Sequence, residues 1–272
     1  MQKAIYNIAM NNILKLSEDG KTIIGVNNKS ITHITIPEGV TTIREWAFSG
    51  CSSLKSIKIP NSVTTIGDAA FKECSALQSI DIPNSVTTIG DSAFRDCSAL
   101  KSIKIPNSVT TIGDGAFYGC SSLQSINVSD DNPNYTSVDG ILFNKQLSTI
   151  IKFPQGGNIE VYSIPNSVTT IGNGAFYGCS SLQSIDIPNS VTTIGNGAFY
   201  GCSSLQSIDI PNSITTIGIY AFYGCSSLQS IDIPNSITII DLRTFSHCST
   251  LKSIDIPDSV TTIGYSAFYG CI

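Results

Sequence analysis

The stretch Cys179–Tyr200, CSSLQSIDIPNSVTTIGNGAFY, returns almost unchanged from Cys202 and again, with Ile214 in place of valine, from Cys225. Self-similarity at a fixed period of about 20 to 50 residues decides an architecture before local propensity does, because each copy can bury its apolar side only against its neighbours. Working outward, the same L-x-x-I-x-I core starts at Ile31, Leu54, Leu77, Leu100, Leu123, Ile159, Leu182, Leu205, Leu228 and Leu251. Successive starts lie 23 residues apart except for one step of 36, from Leu123 to Ile159. A proline closes every core but the fifth, where Ser129 stands instead.

Within one unit, Leu182, Ile185 and Ile187 alternate with Ser184 and Asp186, the two-residue period of a short strand with one buried side. Pro188 must end that strand, since it brings no donor to a ladder. The β-branched run after it suits a second short strand, and Gly195 a turn. The Ala198-Phe199 pair recurs as Ala47-Phe48, Ala70-Phe71, Ala93-Phe94, Ala116-Phe117, Ala175-Phe176, Ala221-Phe222 and Ala267-Phe268, small beside large, as a stacked interior requires. The expected fold is a mainly-β repeat solenoid: a right-handed leucine-rich repeat with a parallel concave β-sheet and with short second strands and turns on the outer faces. One domain over 1–272 is expected. It comprises an N-terminal hairpin cap over 1–30, repeats over 31–128, a long irregular repeat with a β-hairpin insertion over 129–164, and repeats over 165–272. The last repeats carry no C-terminal cap, which predicts end-to-end self-association.

The hairpin expectation rests on an internal echo. Ile141-Leu142 and Thr149-Ile150-Ile151 match Ile13-Leu14 and Thr22-Ile23-Ile24, each pair of apolar runs flanking a polar turn. In mid-chain the hairpin is expected to project as a bump and to leave Asp130 to Tyr135 as an exposed loop.

Charge excludes several function classes. Only 13% of residues are charged and the net charge is −5, with no basic patch, which argues against nucleic acid and anionic membrane as partners. Apolar runs such as Ile5–Met10 are far too short to span a bilayer. The N-terminus lacks the continuous apolar stretch and small-residue cleavage site of a signal peptide, which leaves a cytoplasmic location open.

The nine cysteines all fall at one repeat position, from Cys51 to Cys271. An in-register ladder sets neighbours about 4.8 Å apart with parallel side chains, whereas a disulfide needs converging ones. Reduced, buried thiols are expected. With no C-x-x-C and only His33 and His247, neither a metal nor a cofactor is expected. A nucleophile–histidine site is not expected either: His33 falls on the first strand and His247 in a degenerate repeat. Gly113-Asp114-Gly115 lacks the third glycine of a dinucleotide fingerprint and reads as turn chemistry.

Function therefore falls to outward positions. Between the two isoleucines stand Lys58, Asp81 and Lys104 in the first half, and Asp186, Asp209, Asp232 and Asp255 in the second. Four stacked carboxylates repel one another, which raises pKa values or recruits a cation or a basic partner; the plainer reading is a solvated face copied by duplication. Tyr118, Tyr177, Tyr200, Tyr223 and Tyr269 form an outer stripe that offers interface anchors or simply covers the turn. The Asp130, Asp131 and Tyr135 loop competes with the concave face as a binding site.

The pattern C-x-x-L-x-x-I-x-I-P-x-x-V-x-x-I-G-x-x-A-F, present at Cys202, Leu205, Ile208, Ile210, Pro211, Ile214, Ile217, Gly218, Ala221 and Phe222, resembles that of the BspA-like (Treponema pallidum-type) leucine-rich repeat family of bacterial and protozoan surface proteins. The resemblance covers residues 31 to 272. It implies a cell-surface or secreted, non-catalytic protein used in adhesion to a protein or cell-surface ligand. A structural, self-associating surface element and an intracellular interaction scaffold are the alternatives.

Overall fold

The computed structural model describes residues 13–271, and apart from a 3-10 turn at Gln155–Gly157 its regular elements are β-strands of two to five residues. The N-terminal run Ile5–Met10 lies outside the described residues. Two units form, Met1–Tyr135 and Thr136–Ile272, each a coil of stacked turns.

In each unit the Thr-Ile pair after the proline builds the longer ladder. Thr42–Ile43, Thr65–Ile66, Thr88–Ile89 and Thr111–Ile112 pair parallel and in register. Thr170–Ile171, Thr193–Ile194 and Thr216–Ile217 do the same in the second unit. Each turn also hydrogen-bonds to the next through its Ala-Phe corner: Phe176 N–H donates to Ala198 O at 2.7 Å, and Gly178 N–H to Tyr200 O at 2.7 Å. The buried phenylalanines stack along the axis, with ring centroids 5.2 Å apart at Phe48–Phe71 and 5.1 Å at Phe176–Phe199. This agrees with the interior role read from the repeat.

The face carried by the L-x-S-I-x-I cores is more broken than expected. His33–Thr35 pairs with Ser56–Lys58, and Ser102–Ile105 with Ser125–Val128, but the third turn between them contributes no strand. There the ladder opens to 3.4 Å at Gln78 N–H to Lys55 O, against 2.8 Å at Gln124 N–H to Lys101 O. Ile80 and Ile82 stay buried all the same, so the apolar pattern outlasts the hydrogen bonds. In the second unit Val161–Ser163, Ser184–Asp186, Ser207–Ile208 and Ser230–Ile231 form one parallel sheet.

The mid-chain hairpin does not project. Ile141–Asn144 runs antiparallel to Thr149–Lys152, and the latter pairs parallel with Thr170–Ile171, so the hairpin becomes the first layer of the second unit. Its Ile141, Leu142, Phe143 and Ile150 are buried, which a projecting hairpin could not achieve. The Asn144 side chain closes the turn by accepting from the backbone N–H groups of Ser148 and Thr149, both at 2.9 Å. The first unit begins the same way: Leu14–Leu16 lies antiparallel to Thr22–Val26, which pairs with Thr42–Ile43.

Candidate interaction surfaces

Strand alternation places Lys58, Lys104 and Asp186 on the outer side of their strands, with Ile57, Ile103 and Ile185 buried beside them. In the second unit the paired registers Ser184–Ser207–Ser230 and Ile185–Ile208–Ile231 lead directly into Asp186, Asp209 and Asp232, all exposed, at roughly the 4.8 Å strand spacing; Asp186 ends its strand, while Asp209 and Asp232 stand one residue past theirs. Asp255 is exposed too, but the core segment of its turn, residues 251–257, forms no strand, so the expected row of four is a row of three followed by a fourth outside the sheet. Among the described residues no three His, Cys, Asp or Glu side chains gather as a metal site.

The first unit presents a different face. Lys58 and Asp81 line one shallow groove with His33, Thr35, Ser56 and Asn61, and Lys104 lies beside Asn127 two turns on. Cations and carboxylates alternate here, so the face is mixed in sign where the second unit's is acidic.

The Asp130–Tyr135 segment is not a free loop. Asn132 is wholly buried; its amide donates to Pro106 O at 2.7 Å and Val109 O at 2.9 Å, and its side-chain oxygen accepts from Asn134 N–H and Tyr135 N–H. The Tyr135 hydroxyl accepts from Ile112 N–H at 3.0 Å. The segment therefore lies across the last turn of the first unit and supplies the partners that a further turn would have supplied. Asp130 and Asp131 remain exposed, whereas Tyr135 is half-buried and engaged.

The tyrosine stripe is a true ladder in the second unit, with Tyr177–Tyr200 stacked at 4.9 Å and Tyr200–Tyr223 at 4.6 Å. Burial, then the neighbouring phenols of Tyr177 and Tyr223, raise the Tyr200 pKa. Ser246 breaks the tyrosine register, and His247 from the adjacent position fills the gap edge-on, 5.1 Å from Tyr223 and 5.3 Å from Tyr269.

Eight of the nine thiols are buried in the coil, and Cys271 is half-buried. Cys202 Sγ donates to Phe176 O at 3.2 Å and Cys225 Sγ to Phe199 O at 3.3 Å, and burial raises both pKa values well above the usual thiol range. His33 contacts Thr32 Oγ1 at 3.1 Å.

Two features escape the periodic reading. Lys152 is buried at 2% exposure, with Nζ 3.1 Å from Tyr177 O, a carbonyl whose counterpart Tyr200 O is satisfied by Gly178 N–H of the turn before. Trp46, Ala69, Ser92, Tyr220, Arg243 and Ser266 hold left-handed backbone, φ 51° to 61°, at a position that Gly115, Gly174 and Gly197 fill in the other turns. Their departure from glycine is visible in the sequence; its conformational meaning is not.

The family pattern described as BspA type leucine-rich repeat region, in six copies, matches residues 26–150 and 152–272. Comparison with curated proteins gives no match. Among solved structures the chain is similar to a leucine-rich repeat protein from Eubacterium ventriosum, at 25% identity and a TM-score of 0.59 over 92% of this chain and 88% of that one. It is similar also to the pneumococcal vaccine antigen PcpA, at 26% identity and 0.72 over 94% and 69%. A leucine-rich cell surface protein from Faecalibacterium prausnitzii matches at 27% identity and 0.52 over 89% and 92%. No helix among the described residues is long and apolar enough to cross a membrane.

Proposed function

Since the chain belongs to the BspA-type leucine-rich repeat family, we propose that it is a non-catalytic, adhesin-like scaffold displayed at the cell surface, where it binds a protein ligand of basic character. The observation that carries this reading is the exposed row Asp186, Asp209 and Asp232, which the paired strands lead into, with Asp255 beyond the sheet. Aligned carboxylates on a rigid backbone concentrate negative potential at low entropic cost, which favours encounter with a basic partner. The surface location is supported by the likeness to the Faecalibacterium prausnitzii cell surface protein. The turns are linked by backbone ladders and filled by stacked phenylalanines, so the face is preorganised rather than assembled on binding.

The test is binding of the full chain to an array of immobilised extracellular-matrix and plasma proteins, side by side with the variant Asp186→Asn/Asp209→Asn/Asp232→Asn/Asp255→Asn. Binding to a basic member of the array that the variant loses supports the reading. Equal binding by both proteins removes the site from this face and leaves Asp130 and Asp131 as the next positions to change.

A further inference from the structure

The strand faces of the two units carry opposite charge on the same repeat. Each L-x-x-I-x-I core offers two variable outward positions, the residue after the leucine and the residue between the isoleucines. In the first unit these columns hold Lys55, Gln78 and Lys101, then Lys58, Asp81 and Lys104, all exposed. Backbone contacts make each column contiguous: Gln78 N–H donates to Lys55 O at 3.4 Å and Lys101 N–H to Gln78 O at 3.3 Å, while Lys58 and Asp81 line one groove. Lysines thus outnumber carboxylates four to one at these positions. In the second unit the first column runs from Glu160 through Gln183 and Gln206 to Gln229, tied by Gln183 N–H to Glu160 O at 2.7 Å and Gln206 N–H to Gln183 O at 3.0 Å. The second column is the aspartate row. Four exposed carboxylates, Glu160, Asp186, Asp209 and Asp232, stand there before the last core adds Lys252 beside Asp255.

We propose that the lysine face of the first unit in one molecule docks on the aspartate face of the second unit in another, so that a second copy of this chain is a partner. Opposite potentials steer that encounter and fix which faces meet, since each face repels its own kind. Spacing favours a second copy over an arbitrary basic protein. Both faces are built on the same turn and advance by the same strand spacing of about 4.8 Å, so one matched lysine and carboxylate bring the next turns towards a match as well. The flexible four-carbon stem of lysine takes up the remaining misfit. Asp81 is the exception, a carboxylate that meets the carboxylate row and weakens the contact. The contact is small. Five cores of six residues make a patch of about 24 Å by 20 Å, below the roughly 800 Å² per partner of a standard interface. A single pair therefore associates weakly and in a salt-dependent way, and the contact gains strength where many copies are held together. The basic partner of the aspartate row, a reading on which this step rests, is here the chain itself.

The experiment is sedimentation velocity on the full chain and two charge-reversed variants. Lys55→Glu/Lys58→Glu/Lys101→Glu/Lys104→Glu makes both faces acidic, and Asp186→Lys/Asp209→Lys/Asp232→Lys makes both basic. Wild type should self-associate at low salt and come apart as salt nears about 1 M, where charges are screened within about 3 Å. Each variant alone should associate at least about tenfold more weakly. Mixing the two should restore association, because each then meets the opposite sign, and the restoration shows that both are folded. The neutral variants Lys55→Gln/Lys58→Gln/Lys101→Gln/Lys104→Gln and Asp186→Asn/Asp209→Asn/Asp232→Asn should lose association alone and gain nothing on mixing, a test that holds even where a reversal unfolds the chain. Asp81→Asn should tighten the wild-type contact. A wild type that stays monomeric at low salt up to its solubility limit, self-association that the neutral variants retain, or folded reversed variants that stay apart when mixed would overturn the proposal. Loss of array binding in the variant with all four aspartates changed to asparagine would still uphold the aspartate row as a binding face, so the two readings fail separately.

Discussion

The Cys202 thiol donates to the carbonyl of Phe176, 26 residues earlier, and the same bond recurs from Cys74 to Phe48 at 3.2 Å and from Cys97 to Phe71 at 3.1 Å. None of the nine cysteines forms a disulfide. Thiol titration should therefore count nine free thiols in denaturant. In the folded protein only Cys271, the one not buried, should react promptly. Fewer than about seven after unfolding would contradict the ladder, because parallel side chains on adjacent turns do not converge for a disulfide.

Burial pushes Cys74 up to about 12 and Cys179 up to about 11. A group whose pKa rises on folding contributes stability that is complete below the unfolded value, near 9, and is lost as pH climbs towards the folded one. Each such thiol costs about 1.4 kcal/mol per pH unit within that window. The midpoint of urea unfolding should hold steady from pH 6 to about 8.5 and fall steeply above about pH 9.5. Cys74→Ala should flatten that fall; an unaltered slope would mean that the thiols are not what titrates.

Asn132 makes four hydrogen bonds while wholly buried. Asn132→Ala leaves two carbonyls and two N–H groups without their partner, at a cost of about 2–4 kcal/mol. Hydrogen exchange should accelerate first at the Tyr135 and Ile112 amides, and the urea midpoint should drop. A variant as stable as wild type would show that the segment does not close the first unit.

Two neighbouring glycines should behave differently. A Cβ on Gly195 would sit 2.8 Å from Asn173 N of the turn before, against backbone that cannot move aside, so Gly195→Ala should cost about 1–3 kcal/mol. At Gly197 the added carbon would have room, 3.7 Å from Tyr200 Cβ, and only the positive φ of 56° is paid for, about 1 kcal/mol. Thermal melts of the two variants should rank Gly195→Ala below Gly197→Ala; the reverse order would place the turns farther apart than described.

The 23-residue period located the core well: Leu182, Ile185, Ile187, Val191, Ile194 and Phe199, assigned inward or apolar by position alone, are all buried. The antiparallel pairs Leu14–Leu16 with Thr22–Val26 and Ile141–Asn144 with Thr149–Lys152 fall on the internal echo, not on the period. Where the second hairpin goes was legible only in part, through Thr149-Ile150 repeating the Thr-Ile pair of every turn, a hint that it joins that ladder. Asn132 left no trace, because its partners Pro106 and Val109 are 26 and 23 residues away and a lone polar residue has no period. The histidine that completes the tyrosine ladder was hidden likewise: His247 stands in the glycine register, and only its left-handed backbone, φ 61°, turns the ring into the gap left by Ser246. Of the binding face, the aspartate row was readable from alternation, while the break in the ladder at the third turn was not.

The aspartate row makes a prediction that needs no ligand. Asp186, Asp209 and Asp232 are exposed and held in register by the backbone ladder, so the fold keeps like charges about 4.8 Å apart that an unfolded chain would separate. Replacing all of them and Asp255 by asparagine removes that repulsion and leaves shape and inward packing unchanged. The melting temperature should then rise at low salt, by roughly 1–3 °C given the size of the chain. Added salt screens exposed charges over about 10 Å at 0.1 M and about 3 Å at 1 M, so the advantage should shrink steadily and vanish near molar salt. A variant less stable than wild type at every salt concentration would mean that the carboxylates accept hydrogen bonds the fold depends on, and the row would then be structural rather than a face kept for a partner.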